Sequence, residues 1–362
     1  MASAHVIPVA TMGGGYEVHV GAGLLDDLGA LAAQRLEAVQ AFIVTDTNVA
    51  PLYLDRATAS LARADIACAS FAFPAGEQSK TIATWSRILT AMADAHLDRT
   101  AIVVALGGGV TGDMAGFAAA AYMRGIRVVQ VPTTLLAMVD SSVGGKTGVD
   151  LPHGKNLVGA FLQPELVVAD IDTLSTLPDE RFADACGEVI KHAVLADPAL
   201  FAALERSPLT SLRSDAAALA QVVARNVEIK RDVVEHDERE RGLRQTLNLG
   251  HTVGHAIEAA SGFALGHGSC VAAGLCTVCR AAAAAGRLDA ESARRIHAVV
   301  AAHGLPTGSD ADPALLASYA GSDKKRRGGI VNLVVPTEIG RCDMQPVGED
   351  ELAALIARHA KG

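Results

Sequence analysis

The sequence predicts an N-terminal α/β domain with a Rossmann-like parallel sheet, followed by a mostly α-helical domain. Three observations carry this: strands and helices alternate through the first half, a glycine turn directly follows one buried strand, and strand signals almost vanish after residue 178. Such alternation builds a parallel sheet with helices on its faces. In order, "YEVHVG" alternates like a strand, "AVQAFIVTD" is an apolar strand ending in Asp46, and "TIATWSRILTAMADAHL" has helical periodicity. "AIVVALGGG" is a buried strand running into glycines, "VTGDMAGFAAAAYM" is helical, and "IRVVQVPTT" and "ELVVADID" are further strands. Pro178-Asp179-Glu180 marks a helix start, with a proline and two acids in the first turn. Long Ala- and Leu-rich stretches then read as helical until "GIVNLVVPTEIG". The predicted domains are residues 1–178 (nucleotide-binding) and 179–362 (metal- and substrate-binding), packed closely around a cleft.

The 362 residues are enough for two domains and a substantial core. A net charge of -9 provides no overall basic field, which argues against a nucleic-acid partner. No apolar segment has the length and purity of a membrane span. The start "MASAHVIPVATMGGG" lacks the basic and apolar regions of a signal peptide, so a reduced, cytoplasmic setting is expected. The six cysteines form no framework. "CTVC" at 276–279 lacks the second pair of a zinc ribbon and reads as two thiols packed on a core helix.

Four stretches carry chemistry. Gly107, Gly109 and Gly112 satisfy G-x-G-x-x-G between a strand and a helix, where backbone N–H groups can approach a pyrophosphate. The acid expected about 20 residues further on is missing; Asp46 could hold the ribose instead. "DSSVGGKTGVDLPHGKNLVGA" reads as a flexible, basic, glycine-rich loop suited to a small anion, with Asp140, Lys146, Lys155 and Asn156 in it. "GEVIKHAV" sets Glu188 and Lys191 at i, i+3 on an otherwise apolar helix, where a charged pair needs a reason. In "RERGLRQTLNLGHTVGHAIE", Arg244, Asn248, His251 and His255 recur along one predicted helix face, with His267 beyond a break. Two histidines and a glutamate from another helix would make a zinc site with an open position. The peptidase motif HExxH fails, because Thr252 stands where its glutamate would be.

Together these stretches resemble the sugar-phosphate cyclase family. The match runs from "TDTNV" through "PAGEQSKT", "GGGVTGDMAGFAA", "YMRGI", "VPTTLLAMVDSSVGGKTGVDLPHGKNLVGAF", "GEVIKHA" and "LNLGHTVGHAIE" to "DKK", nearly the whole chain. The resemblance implies NAD on the N-terminal domain and a divalent metal, zinc or alternatively cobalt. It also implies a small-molecule substrate: 3-deoxy-D-arabino-heptulosonate 7-phosphate would become 3-dehydroquinate and phosphate. The steps would be transient NAD oxidation, phosphate β-elimination, re-reduction and aldol closure. On the same ground Glu188, His251 and His267 are the metal ligands, and His255 faces the substrate phosphate. Lys146, Asn156, Asn248, Arg124 and one of Lys324 or Lys325 complete the phosphate site, with Arg124 expected from the second subunit of a homodimer. Arg244 is the carboxylate clamp, and Asp140, Lys155, Lys191, Lys230 and Glu240 surround the sugar hydroxyls. The implied NAD positions are Asp46, Asn48, Glu77, Lys80, Gly108, Gly109, Val110, Asp113, Thr133, Thr134, Lys146, Lys155 and Thr176. One departure stands out: the family commonly reads H-G-E after the last metal histidine, and here it is His267-Gly268-Ser269. The alternatives are a cyclase for a substrate without a carboxylate, and a metal-dependent polyol dehydrogenase of similar fold.

Overall fold

A computed structural model describes residues 4–321 and 330–362. In chain order the first elements are β1 (His5–Thr11), β2 (Gly14–Gly21), α1 (Leu28–Leu36), β3 (Gln40–Asp46), α2 (Ala50–Arg63), β4 (Ala67–Phe73) and α3 (Ile82–Asp94). Then come β5 (Ile102–Gly107), α4 (Gly109–Ala121), β6 (Arg127–Pro132), β7 (Lys146–Leu151), β8 (Gly154–Phe161) and β9 (Leu166–Asp170). The rest is mainly helical: α5 (Asp179–Ala196), α6 (Pro198–Arg206), α7 (Ala216–His236), α8 (His251–Ala260), α9 (His267–Ala284), α10 (Ala290–Ala302), α11 (Pro313–Gly321), the pair β10 (Ile330–Glu338) and β11 (Arg341–Gly348), and α12 (Glu349–His359).

Two compact units result, Met1–Leu177 with Asp215–Arg239, and Pro178–Ser214 with Glu240–Gly362. A single cut after residue 178 therefore misses one return of the chain. The segment carrying α7 groups with the first unit, where Glu235 and Glu238 accept hydrogen bonds from the N–H groups of Ala10 (2.7 Å) and Met12 (3.0 Å). An apolar stripe of period 3.6 says that a helix packs, not against what.

The first unit holds a seven-stranded sheet in the order β1-β2-β9-β6-β5-β3-β4, parallel except for the edge strand β1. Because successive side chains of a strand alternate faces, the central strands are apolar throughout. Ile43, Ile102, Val104 and Val129 pack on one side, while Phe42, Val44, Val103, Ala105 and Val128 pack on the other. After β3 the chain runs outward to β4 and then returns to β5 on the opposite side. This reversal opens a crevice at the carboxyl ends of β3 and β5.

Residues 140–160 are not a flexible loop. A π-helical turn at Ala137–Ser141 leads into the antiparallel hairpin of β7 and β8, in register from Lys146↔Phe161 to Val149↔Val158, with a shift before Leu151↔Gly154. The glycines that suggested flexibility serve close contact instead. Gly148 pairs with Gly159, whose Cβ would lie 2.0 Å from the Thr147 carbonyl oxygen.

In the second unit the expected single helix through Arg244 and His255 is broken. Leu243–Asn248 is a 3-10 turn, Gly250 adopts φ 78°, and α8 begins at His251. A side chain at Gly250 would also strike the Val271 carbonyl at 2.7 Å, because α8 and α9 cross there backbone to backbone. A Cβ on Gly274 would lie 2.1 Å from the Gly250 oxygen, and one on Gly187 would lie 2.1 Å from the Gly268 oxygen. No helix among the described residues is long and apolar enough to cross a membrane.

These crossings predict that Gly274→Ala forces α8 from α9, since the blocking atoms are backbone and cannot rotate away. The expected loss is at least the roughly 1–3 kcal/mol typical of overpacking, read as a lower denaturant midpoint. An unchanged midpoint would refute the contact.

Candidate functional site

At the crevice of the first unit, Asp46 ends β3 and Gly107 ends β5. Asp46 accepts hydrogen bonds through Oδ1 from the N–H groups of Asn48 (2.8 Å) and Val49 (3.1 Å), and through Oδ2 from Thr111 Oγ1 (3.3 Å). Gly108, Gly109 and Val110 open α4, whose N-terminus has no side-chain cap. Its first N–H groups and the helix dipole therefore offer an anion site. Thr133, at the end of β6, is buried with its Oγ1 lacking a hydrogen-bond partner, as are Thr45 Oγ1 and Ser141 Oγ. Orphaned buried hydroxyls beside an uncapped glycine turn fit a dinucleotide, which would satisfy them. Thr134 Oγ1 instead accepts from Ala137 N (3.2 Å), and Thr176 Oγ1 lies 2.5 Å from the Tyr53 hydroxyl.

Lys80 anchors this side. Its Nζ lies 2.5 Å from Asp113 Oδ2 and 2.6 Å from Asn156 Oδ1, so it joins α4 to the hairpin. Burial opposes its charge, but the Asp113 carboxylate outweighs burial and raises its pKa above the ordinary lysine value. Burial also pushes the Asp113 carboxyl up, against the pull of Lys80. Asn156 sits at φ 53° and its N–H donates to Asp150 Oδ1 (2.7 Å), while Lys155 lies 3.4 Å from Glu77. Lys146 opens β7 and is exposed. Buried Lys230 on α7 meets Asp140 Oδ1 at 2.6 Å, and Arg124 stands exposed at φ 70°.

The second unit brings Glu188, His251 and His267 together, with one donor atom of each within 4.8 Å of the others. Glu188 is wholly buried on α5. Its Oε2 lies 2.5 Å from Lys191 Nζ, and its Oε1 lies 3.0 Å from His267 Nε2 and 3.3 Å from His251 Nε2. Burial favours the protonated carboxyl, yet Lys191 and the two histidines hold it well below the usual carboxylate range. His251 Nδ1 donates to the Leu249 carbonyl (3.2 Å), leaving Nε2 as the basic nitrogen; burial pushes its pKa down. Burial opposes a charge on His267 too, but the Glu188 and Glu258 carboxylates prevail and push it up to about 10. Two imidazole nitrogens and a carboxylate oxygen suit a zinc-type ion and leave a position open.

The His255 ring lies 5.2 Å from that of His251, on the same helix. Arg244 is buried in the 3-10 turn, and Asn248 Nδ2 donates to Glu240 Oε1 (3.2 Å). Lys324 and Lys325 lie outside the described residues. Glu258 and Asp184, both against the His267 segment, escaped the sequence reading. Glu258 follows His251 by seven residues, two helical turns, and that period was its only signal.

A family model described as 3-dehydroquinate synthase N-terminal matches residues 70–184, and one described as 3-dehydroquinate synthase C-terminal matches residues 185–326. The 3-dehydroquinate synthase of Symbiobacterium thermophilum is 48% identical over 337 residues, covering 91% of this chain and 94% of that protein. That of Xanthomonas campestris pv. campestris is 44% identical over 350 residues, covering 94% of each. Among solved structures, 2-epi-5-epi-valiolone synthase from Streptomyces hygroscopicus subsp. jinggangensis, with NAD+ and Zn2+ bound, has a TM-score of 0.86 at 29% identity, over 95% of this chain and 96% of that one. A 2-deoxy-scyllo-inosose synthase in complex with carbaglucose-6-phosphate, NAD+ and Co2+ shares the fold, with a TM-score of 0.85 at 22% identity over 98% and 100% of the two chains. With both family models matched in order and near-half identity along nine-tenths of its length, the chain belongs to the 3-dehydroquinate synthase family.

Proposed function

We propose that the chain converts 3-deoxy-D-arabino-heptulosonate 7-phosphate to 3-dehydroquinate and phosphate, a cytoplasmic step of aromatic amino-acid biosynthesis. NAD would be held at the crevice of the first unit and a divalent metal by Glu188, His251 and His267. The observation that carries this reading is the convergence of those three donors in a chain 48% identical to a 3-dehydroquinate synthase. When bound, the metal supplies Lewis acidity at a substrate hydroxyl and NAD supplies reversible hydride acceptance.

The chain's side chains do the rest. Arg244, a buried guanidinium, offers a planar fork to the substrate carboxylate. Lys146, Asn156, Asn248 and His255 receive the phosphate, whose departure needs compensating charge in a water-poor site. His255 orients a phosphate oxygen toward the proton removed in elimination, so leaving group and base are one moiety. Lys155, Lys191, Lys230, Asp140 and Glu240 orient the hydroxyls. Lys230 is already held by Asp140, and Glu240 by Asn248, which lowers the entropy of ordering them. Arg124, exposed in a left-handed conformation, serves the phosphate of a second copy in a homodimer.

Phosphate release from the seven-carbon keto-acid phosphate without net NADH is the expected assay result. Net NADH from a simple polyol, or turnover only of a substrate lacking a carboxylate, would overturn the reading. Elemental analysis should find metal in wild type and in His255→Ala but not in His251→Ala. His255→Ala should still turn over, about 10²-fold more slowly, the loss expected when a reacting group is misplaced by about 1 Å. An engineered obligate monomer should be inactive. Full activity in that monomer would remove Arg124 from the phosphate site.

A further inference from the structure

We infer that Glu258 is a positioning residue for His267: its carboxylate holds the Nδ1 proton of that imidazole and so fixes Nε2 as the metal-donating atom. The inference rests on the metal reading above. An imidazole that donates through one nitrogen carries its proton on the other, and the partner of that proton sets both tautomer and ring orientation. His267 Nε2 is the nitrogen that faces the cluster, 3.0 Å from Glu188 Oε1. The proton then belongs on Nδ1, and Glu258 Oε2 lies 3.5 Å from it. At that distance the contact is electrostatic, and a movement of a few tenths of an ångström closes it to a hydrogen bond.

The backbone beneath His267 is fixed by other means, which leaves the ring as the part that Glu258 controls. Helix α9 has a glycine at its N-cap and no side-chain cap of its own. Asp184, one turn before Glu188 on α5, takes that place. Its carboxylate accepts from Gly268 N (3.1 Å), Ser269 N (2.8 Å) and Ser269 Oγ (2.7 Å). Ser269 therefore serves the cap, and the carboxylate that faces the ring comes from α8. His251 is supported in the parallel way by the neutral Leu249 carbonyl. The two histidines thus differ in the charge of their supports, and His267 has the stronger one.

The test uses metal-free wild type, Glu258→Ala and Glu258→Gln, titrated with Co2+ and followed by visible absorption and chelator competition. NAD affinity and far-UV circular dichroism report that each variant is folded. The expected result is one equivalent of Co2+ in all three, with affinity lower by about 10–100-fold in Glu258→Ala and a shifted visible band. Glu258→Gln should lose less, because its amide oxygen still accepts from Nδ1. Unchanged affinity and spectrum in a folded Glu258→Ala overturn the inference. So does a second equivalent in wild type that Glu258→Ala loses, since donor atoms of His255, Glu258 and His267 also lie within 4.8 Å of one another and Glu258 would then be a ligand. If wild type takes up no Co2+, or His251→Ala takes up as much, the metal reading itself fails. Normal uptake by wild type alongside an unaltered Glu258→Ala removes only the role of Glu258.

Discussion

The second unit depends on the close approach of α9 to α5 and α8. Helices that meet through ordinary side chains stand about 8–10 Å apart. Here Gly187 meets the Gly268 carbonyl and Gly274 meets the Gly250 carbonyl, with no room for a methyl group at either crossing. Each seam lies beside a donor: Gly187 precedes Glu188, Gly250 precedes His251, and Gly268 follows His267. With the backbones in contact, the short reach of one carboxylate and two imidazoles is enough for them to converge. Wider spacing would leave Glu188 paired with Lys191 on its own helix and carry the imidazole of His267 out of its reach.

The first unit follows the same logic with charges instead of glycines. Lys80–Asp113 and Lys230–Asp140 are largely buried pairs at 2.5 and 2.6 Å. Such pairs contribute little net stability, because desolvation offsets the attraction. Their value here is position. Lys80 ties the first helix after the glycine turn to the hairpin that carries Lys146, Lys155 and Asn156. In a chain of net charge -9, pairs of this kind fix cations at particular places that the overall charge does not reveal.

The fold class was legible because the central strands are apolar throughout and alternate with helical stretches, the pattern of a parallel sheet covered on both faces. The metal donors were visible as residue types, and their grouping came from the resemblance. Three features were hidden for identifiable reasons. The hairpin at 146–161 is rich in glycine, and composition cannot separate a glycine needed for close pairing from one in a loose loop. The break at Gly250 interrupts the steps of four, three and four residues that would keep Arg244, Asn248, His251 and His255 on one face of a continuous helix. Glu258 and Asp184 matter through tertiary contacts with the first residues of α9, which the helical period of α8 hints at for Glu258 and nothing local signals for Asp184.

The pairing of Glu188 with Lys191 bears on how the metal centre would act. One oxygen of Glu188 faces Lys191 and the other faces the histidines, so the carboxylate offers the centre a single oxygen. Sharing that carboxylate with an ammonium group draws electron density from the donating oxygen. With Glu188, His251 and His267 as the proposed ligands, the histidines would donate as neutral groups, and a divalent ion held there would keep more of its charge than against an unshared carboxylate. That retained charge would supply the Lewis acidity that polarises a substrate hydroxyl. The i, i+3 spacing in "GEVIK" is therefore more than a helix ion pair: Lys191 holds Glu188 ionised in a buried site and would limit how strongly it quenches a bound metal.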